Sequence, residues 1–448
     1  MLITLTLAGM VFGLGIVVQP TDATNPPTAE QDHRLMLQRL GIDELRPGAD
    51  GWNPDAPNAA NADEAKATPY PVLPDPLTNN DGSRVTTPEQ WWGERRGEIV
   101  EHFDREVYGR VPISAPAVAW RVVGTVEQSV AGHRVNKREL IGEIENSSSP
   151  ASDIQIRATL VTPASASAPV PVIVEFGFDW EAWERARGEE PLADPPTPDW
   201  QRLLLEKGWG YAVLIPTSFQ ADNGAGLYDG VIGLTTRGQP RDPEDWGALR
   251  AWAWGASRLL DHLIEDPTVD GDRVGITGLS RYGKAAIVTM AYDQRFATAF
   301  VGSSGQGGVK IMRRDFGERV ENVASSGEYH WMAGNYLKYA GPLTPNDLPV
   351  DAHHLVALCA PRPIFISVGS LNVEGTWIDA VGNFLGAAQA SPVYELLGAD
   401  GLGADVMPPE GDGVLDGDLA FRQHHGGHTT APNWPFFIDF AARYFERE

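Results

Sequence analysis

Cysteine is almost absent: Cys359 is the only one in 448 residues. An intramolecular disulfide is therefore excluded. In the apolar setting "VALCAPRPIF" a lone thiol reads as inert filler, so stability has to come from the core. Basic residues are scarce too, 35 Lys and Arg against 60 Asp and Glu, giving a net charge of −25. A field of that sign repels nucleic acid and anionic membrane and disfavours a polyanion-binding role. Long apolar runs are missing except at residues 2–18, "LITLTLAGMVFGLGIVV", which with the following "QPTDATNPP" has the form of an export signal cut near Ala23. It lacks the usual leading positive charges, and a membrane anchor is the alternative, although a spanning helix needs roughly 20 apolar residues. No second such run and no internal repeat occur. The expectation is a secreted or periplasmic protein, a monomer, with residues 1–23 removed.

What remains has 42% hydrophobic and 21% charged residues, enough for a sizeable core. Residues 24–82, rich in Pro, Asn, Ala and Asp, predict an extended N-terminal arm with one helical piece, "DHRLMLQRLGI". "TPEQWWGERRGEIVEHF" opens with Thr87, has Glu89 two residues on, and continues with apolar residues at helical spacing: the first firm helix. Between 115 and 175, "AVAWRVVGTVEQSV", "HRVNKRELIGEI", "IQIRATLVTPA" and "VPVIVEFGF" alternate as strands do, the last apolar enough to be buried on both faces. Helix and strand patterns then alternate through "WQRLLLEKGW", "GYAVLIPTSF", "DWGALRAWAWGASRLLDHLIE", "DRVGITGLS", "RYGKAAIVTMAYD", "FATAFVGSS" and "RPIFISVGS", and "APNWPFFIDFAARYFER" closes the chain as a helix. An antiparallel entry into a mostly parallel sheet follows, with residues 83–448 forming one doubly wound α/β domain.

The stretch "GITGLSRYGKAA" places Ser280 between a predicted strand and a predicted helix, with Gly278 before it and Gly283 after it. An α/β-hydrolase holds its nucleophile on such a turn, although the second glycine usually follows by two positions rather than three. A serine that merely caps the following helix is the competing reading. The fold supplies an acid and then a histidine after the serine. His428, in the glycine-flanked loop "HHGGHTTAPNW", fits the base, with His424 and His425 as rivals. The acid should follow "RPIFISVGS", which offers Glu374 and Asp379. Glu374 lies nearer the strand end and is preferred, with a solvated loop charge as its alternative; Asp379 reads as a helix cap.

Taken together, "GLSRYGKAA", "APRPIFISVGS", "TWIDAVGNF" and "GGHTTAPNW", with "PYPVLPDPL" and "REVYGRVP" further upstream, resemble the bacterial glucuronoyl esterases across nearly the whole mature chain. The resemblance implies an α/β-hydrolase fold (a three-layer sandwich), no metal and no cofactor. It also implies hydrolysis of esters whose acid is glucuronic acid, often its 4-O-methyl form on xylan, and whose alcohol derives from lignin. Ser280 matches the family's nucleophile, Arg281 its oxyanion-stabilising arginine, and Lys284 a lysine that contacts the sugar. Trp377 matches a tryptophan near the sugar ring, and Glu328 a glutamate that binds sugar in some members. Three positions depart from the family: Leu279 stands where cysteine is frequent, Tyr282 where asparagine is common, and Ser303 where some members carry their acid. The acid is then Glu374, or the triad is incomplete.

The chemistry agrees. Ester hydrolysis develops a full negative charge on oxygen, which the Arg281 amide and guanidinium and an N–H near Phe176 or Gly177 can meet. Cations in the first turn oppose the helix dipole, by about 0.3 to 1 kcal/mol each, so Arg281 and Lys284 call for a use. Of the fourteen tryptophans, Trp246, Trp252 and Trp254 read as core, whereas Trp377 is placed to stack on a sugar. An acetyl esterase of polysaccharides with the same triad and a catalytically silent carbohydrate-binding protein are the alternatives.

Overall fold

Between residues 118 and 163 the alternating pattern folds into three strands, β1 (Val118–Val130), β2 (His133–Ile144) and β3 (Gln155–Pro163), each antiparallel to the next. Seven more complete a single sheet: β4 (Val170–Phe176), β5 (Gly210–Ile215), β6 (Val269–Leu279), β7 (Thr298–Gly302), β8 (Ile364–Val368), β9 (Gly413–Val414) and β10 (Leu419–Gln423). Their order across the sheet is β1-β2-β3-β5-β4-β6-β7-β8-β10-β9. From β5 to β10 every pairing is parallel, and β9 closes the edge antiparallel. This computed structural model describes residues 26–68, 70, 72–147, 154–180, 184–185, 187–188, 190 and 197–446. The leader-like run at 1–23 lies outside the described residues.

Helices cover both faces of the sheet. The main ones are α1 (Ala29–Leu40), α2 (Arg96–Glu106), α3 (Asp199–Glu206), α4 (Ala248–Glu265), α5 (Arg281–Tyr292), α6 (Ala380–Ala388) and α7 (Trp434–Phe445). One apolar cluster joins α2, α4, α5 and α6 to one face of the sheet; Trp246, Trp252, Trp254 and Cys359 are buried in it. The second joins α3 and α7 to the other face. There Trp434 and Phe437, three apart on α7, pack on Phe300 with centroids 5.2 and 4.9 Å away. The result is the three-layer α/β-hydrolase sandwich. Among the described residues no helix is long and apolar enough to cross a membrane.

Thr87 caps its helix through a capping box with Gln90, and a π turn at Trp91–Arg95 precedes α2. β10 was not singled out in the sequence because "LAFRQ" is short and lies among Gly, Asp and His. The arm lies against the body. It carries α1, sends Met36 and Ile42 into the main core, and pairs Arg46 with Glu321 (2.9 Å) and Glu64 with Arg314 (2.5 Å).

Candidate active site

All the parallel strands end on one edge of the sheet, where a doubly wound fold leaves its crevice. β6 stops at Leu279 and α5 starts at Arg281, so the chain turns at Ser280 alone, with φ 63° and ψ −129°. A non-glycine residue in that conformation is strained and persists only where its surroundings impose it. The Ser280 amide donates to the Gly302 carbonyl at the end of β7 (2.9 Å), and its carbonyl accepts from the Lys284 amide (3.0 Å). Its side chain makes no helix-capping hydrogen bond, which removes the competing reading. The shifted glycine also has a reason. A Cβ at Gly283 would lie 2.4 Å from the Gly302 carbonyl oxygen, and one at Gly278 would lie 2.2 Å from that of Tyr282. The close approach falls three residues after the serine, leaving Tyr282 free to be buried between the exposed Phe178 at 4.6 Å and the core Trp252 at 5.3 Å.

Glu374 follows β8 and His428 follows β10, the neighbouring strand. Glu374 Oε1 lies 2.6 Å from His428 Nδ1, and Oε2 accepts from the Gly369 amide at 2.5 Å. The Glu374 side chain is 0% exposed and that of His428 38%, so the imidazole leads from a dry carboxylate to the open crevice. With the carboxylate accepting at Nδ1, Nε2 is left as the acceptor. The histidine loop and the serine turn converge on Gly302: it accepts the Ser280 amide, and its Cα faces the methyl group of Thr430, two residues after His428. Trp377 braces the pair, its ring edge-on to His428 at 5.2 Å and its Nε1 donating to the Glu374 carbonyl at 2.8 Å.

The rivals have other employment. His424 is held inside its own loop by the Thr429 carbonyl (2.8 Å) and the Gly426 amide (3.0 Å), while His425 lies exposed beside Glu410. Asp379 caps α6 through the Gly382 amide and pairs with Arg314 at 2.8 Å. Ser303 is buried at the end of β7, and its Oγ has no hydrogen-bond partner among the described residues.

Arg281 Nη1 lies 2.5 Å from Asp222, which also accepts from Trp331 Nε1 (2.7 Å) and faces His330 Nε2 (3.0 Å). Burial pushes the Asp222 carboxyl up, but the His330 hydrogen bond and the Arg281 charge outweigh it and hold the group well below the usual carboxylate range. Lys284 is buried, with its ammonium 4.0 Å from Glu318 and 5.2 Å above the Trp331 ring, and the Arg281 guanidinium approaches the same ring at 5.4 Å. Burial and then the charge of Glu318 push Glu328 up to about 7 against the pull of Lys284 and Arg281. Its Oε2 is buried with no hydrogen-bond partner among the described residues. Gly177 is withdrawn as an oxyanion donor, because its amide donates to the Leu214 carbonyl at 2.8 Å. Sequence reasoning missed Asp222, Glu318 and Trp331. Only Trp331 left a trace, three residues after Glu328 in "GEYHWMAGNY".

A sharp strand-to-helix turn, with a His–Glu pair supplied from two later strand ends, defines an α/β-hydrolase of the esterase type. Comparison with known proteins narrows the class. Residues 241–398 match the family described as glucuronyl esterase, fungi. The chain is 32% identical to carbohydrate esterase MZ0003 from an unknown prokaryotic organism, over 87% of this chain and 94% of that protein. It is 27% identical to the 4-O-methyl-glucuronoyl methylesterase of Schizophyllum commune, over 82% and 80% of the two chains. Among solved structures, a CE15 glucuronoyl esterase from Teredinibacter turnerae superposes with a TM-score of 0.86 at 47% identity, covering 93% of this chain and 99% of the other. The chain belongs to the glucuronoyl esterase family.

Proposed function

We propose that the protein is a serine esterase that hydrolyses esters of glucuronic or 4-O-methylglucuronic acid, as in lignin–carbohydrate linkages. The observation that carries this reading is the positive-φ turn at Ser280, on the crevice edge that also holds the Glu374–His428 pair and the buried Lys284. Ser280 Oγ attacks the ester carbonyl carbon while His428 Nε2 takes its proton. Arg281, steadied by Asp222, faces the oxyanion of the tetrahedral intermediate, where one such donor is typically worth about 3 to 4 kcal/mol. The bond to the alcohol oxygen breaks, His428 returns the proton to that oxygen, and water then releases the acyl group by the same path. Glu374 holds the tautomer throughout.

Lys284, Glu328 and Trp377 receive the sugar: an ammonium and a buried carboxyl oxygen without a hydrogen-bond partner among the described residues suit a hydroxyl-rich acyl group, and an indole suits the face of its ring. Placement outside the cytoplasm, secreted or periplasmic, goes with this reading and is supported by the leader-like run at 2–18. A silent binding protein would be favoured had no carboxylate reached His428, and the Glu374 contact at 2.6 Å supports the esterase reading instead. The remaining rival, an acetyl esterase, is separated by kcat/KM on a benzyl glucuronate ester against an acetyl ester. The glucuronate ester is the better substrate, and Lys284→Ala lowers its turnover while sparing the acetyl ester. Equal losses on both would contradict the role of Lys284, and preference for the acetyl ester would overturn the substrate.

A further inference from the structure

Beyond the triad the crevice continues beneath the N-terminal arm. A cavity of about 500 Å³ runs from Glu374 and Trp377 past Glu318 and Asn322 to Ala49 and Trp52. A second, of about 480 Å³, shares Trp52, Glu318 and Asn322 and reaches Glu328. Arm and body thus enclose one groove, and Trp52 stands on its wall 98% exposed.

The turn that presents this indole is built. Asp50 Oδ1 accepts from the amides of Trp52 (2.8 Å) and Asn53 (3.0 Å), and Asn58 Nδ2 donates to the Gly48 carbonyl at 2.6 Å. Its root is clamped to the body by Asn322, whose amide group accepts from Ala49 N and donates to Ala49 O, both at 2.9 Å. A rigid turn that holds the largest apolar side chain entirely in water gains nothing for the fold. At the wall of a cavity ending on the candidate acid, it fits a binding anchor.

The lining selects the occupant. Among the described residues no lysine or arginine lines either cavity, while Glu318 and Glu328 offer carboxyl oxygens, so an anion is repelled and a neutral hydroxyl donor is favoured. An indole face beside hydroxyl acceptors suits a pyranose, which has an apolar C–H face and a rim of hydroxyls. We propose that Trp52 is the platform of a second sugar subsite, stacking on a neutral pyranose of the polysaccharide that carries the glucuronate. This rests on the esterase reading above. It makes the arm a selector for chain-borne esters over free uronate esters.

The test measures kcat/KM for a benzyl glucuronate ester, for the methyl ester of the same acid, and for the benzyl ester carried on a xylose oligosaccharide. In Trp52→Ala, the ratio of the chain-borne to the free benzyl ester is expected to fall about fivefold, mainly through KM, and Trp52→Tyr to restore most of it. An exposed turn residue leaves folding intact, which an unchanged melting temperature checks. A ratio that does not move in Trp52→Ala overturns the proposal. A benzyl-to-methyl ratio that falls instead also overturns it, assigning the indole to the alcohol. A wild-type protein that hydrolyses none of the three esters overturns the esterase reading and takes this proposal with it.

Discussion

A carboxylic acid pushed up to about 7 changes charge within the working range of most enzymes, and Glu328 is such a group beside Lys284 and Arg281. As a carboxylate it only accepts hydrogen bonds; once protonated it offers one acceptor fewer to sugar hydroxyls. KM for the glucuronate ester should therefore rise as the pH falls below about 7, and Glu328→Gln should flatten that dependence. Stability follows the opposite sense. Because the folded value lies above the ordinary 4.5, the folded protein holds this proton more tightly than the unfolded chain does. The resulting stabilisation is complete below pH 4.5 and disappears as the pH rises through 7. Urea midpoints at pH 5 and pH 8 check the sign: the wild type should lose more on the way up than Glu328→Gln does.

Single turns between elements set the geometry here, and they differ in how far the sequence reveals them. Ser280, His428 and Glu374 were legible because each follows a recognisable strand or opens a glycine-rich loop, in the chain order that this fold imposes. Asp222, Glu318 and Trp331 were not, because they stand in irregular loops whose neighbours in space are distant in sequence, and no periodicity marks them. The short strand β10 was lost for a similar reason. Asp379 shows a local reading that holds and is still incomplete. It caps α6 as expected, but it also neutralises buried Arg314 at 2.8 Å and lies 3.7 Å from buried Lys310. Removing it leaves two cations short of their partner in the interior, so Asp379→Ala should cost about 3 to 5 kcal/mol of stability in denaturant unfolding. Because α6 starts directly after the turn carrying Trp377, turnover should fall as well.

For the whole molecule, the scarcity of cysteine and the apolar content set the terms. Cohesion comes from two apolar layers on a ten-stranded sheet, with the arm fastened across one side by Arg46–Glu321 and Glu64–Arg314. Cys359 lies fully buried in one of those layers, and burial pushes its thiol up to about 12. A thiol reagent should therefore react only after unfolding, and a reductant should leave the melting temperature unchanged. Fast labelling of the native protein would contradict the full burial of Cys359 in that layer. The net charge of −25 tells against polyanionic partners and leaves a neutral ester as a compatible substrate.

The central claim is that the Ser280 hydroxyl is activated by His428 under the hold of Glu374. Mass-spectrometric mapping of the adduct formed with a fluorophosphonate tests it most directly. The result expected is one adduct, on the peptide containing Ser280, absent in Ser280→Ala and formed far more slowly in His428→Ala. An adduct on any other residue, or labelling of Ser280 at full rate without His428, would contradict the account.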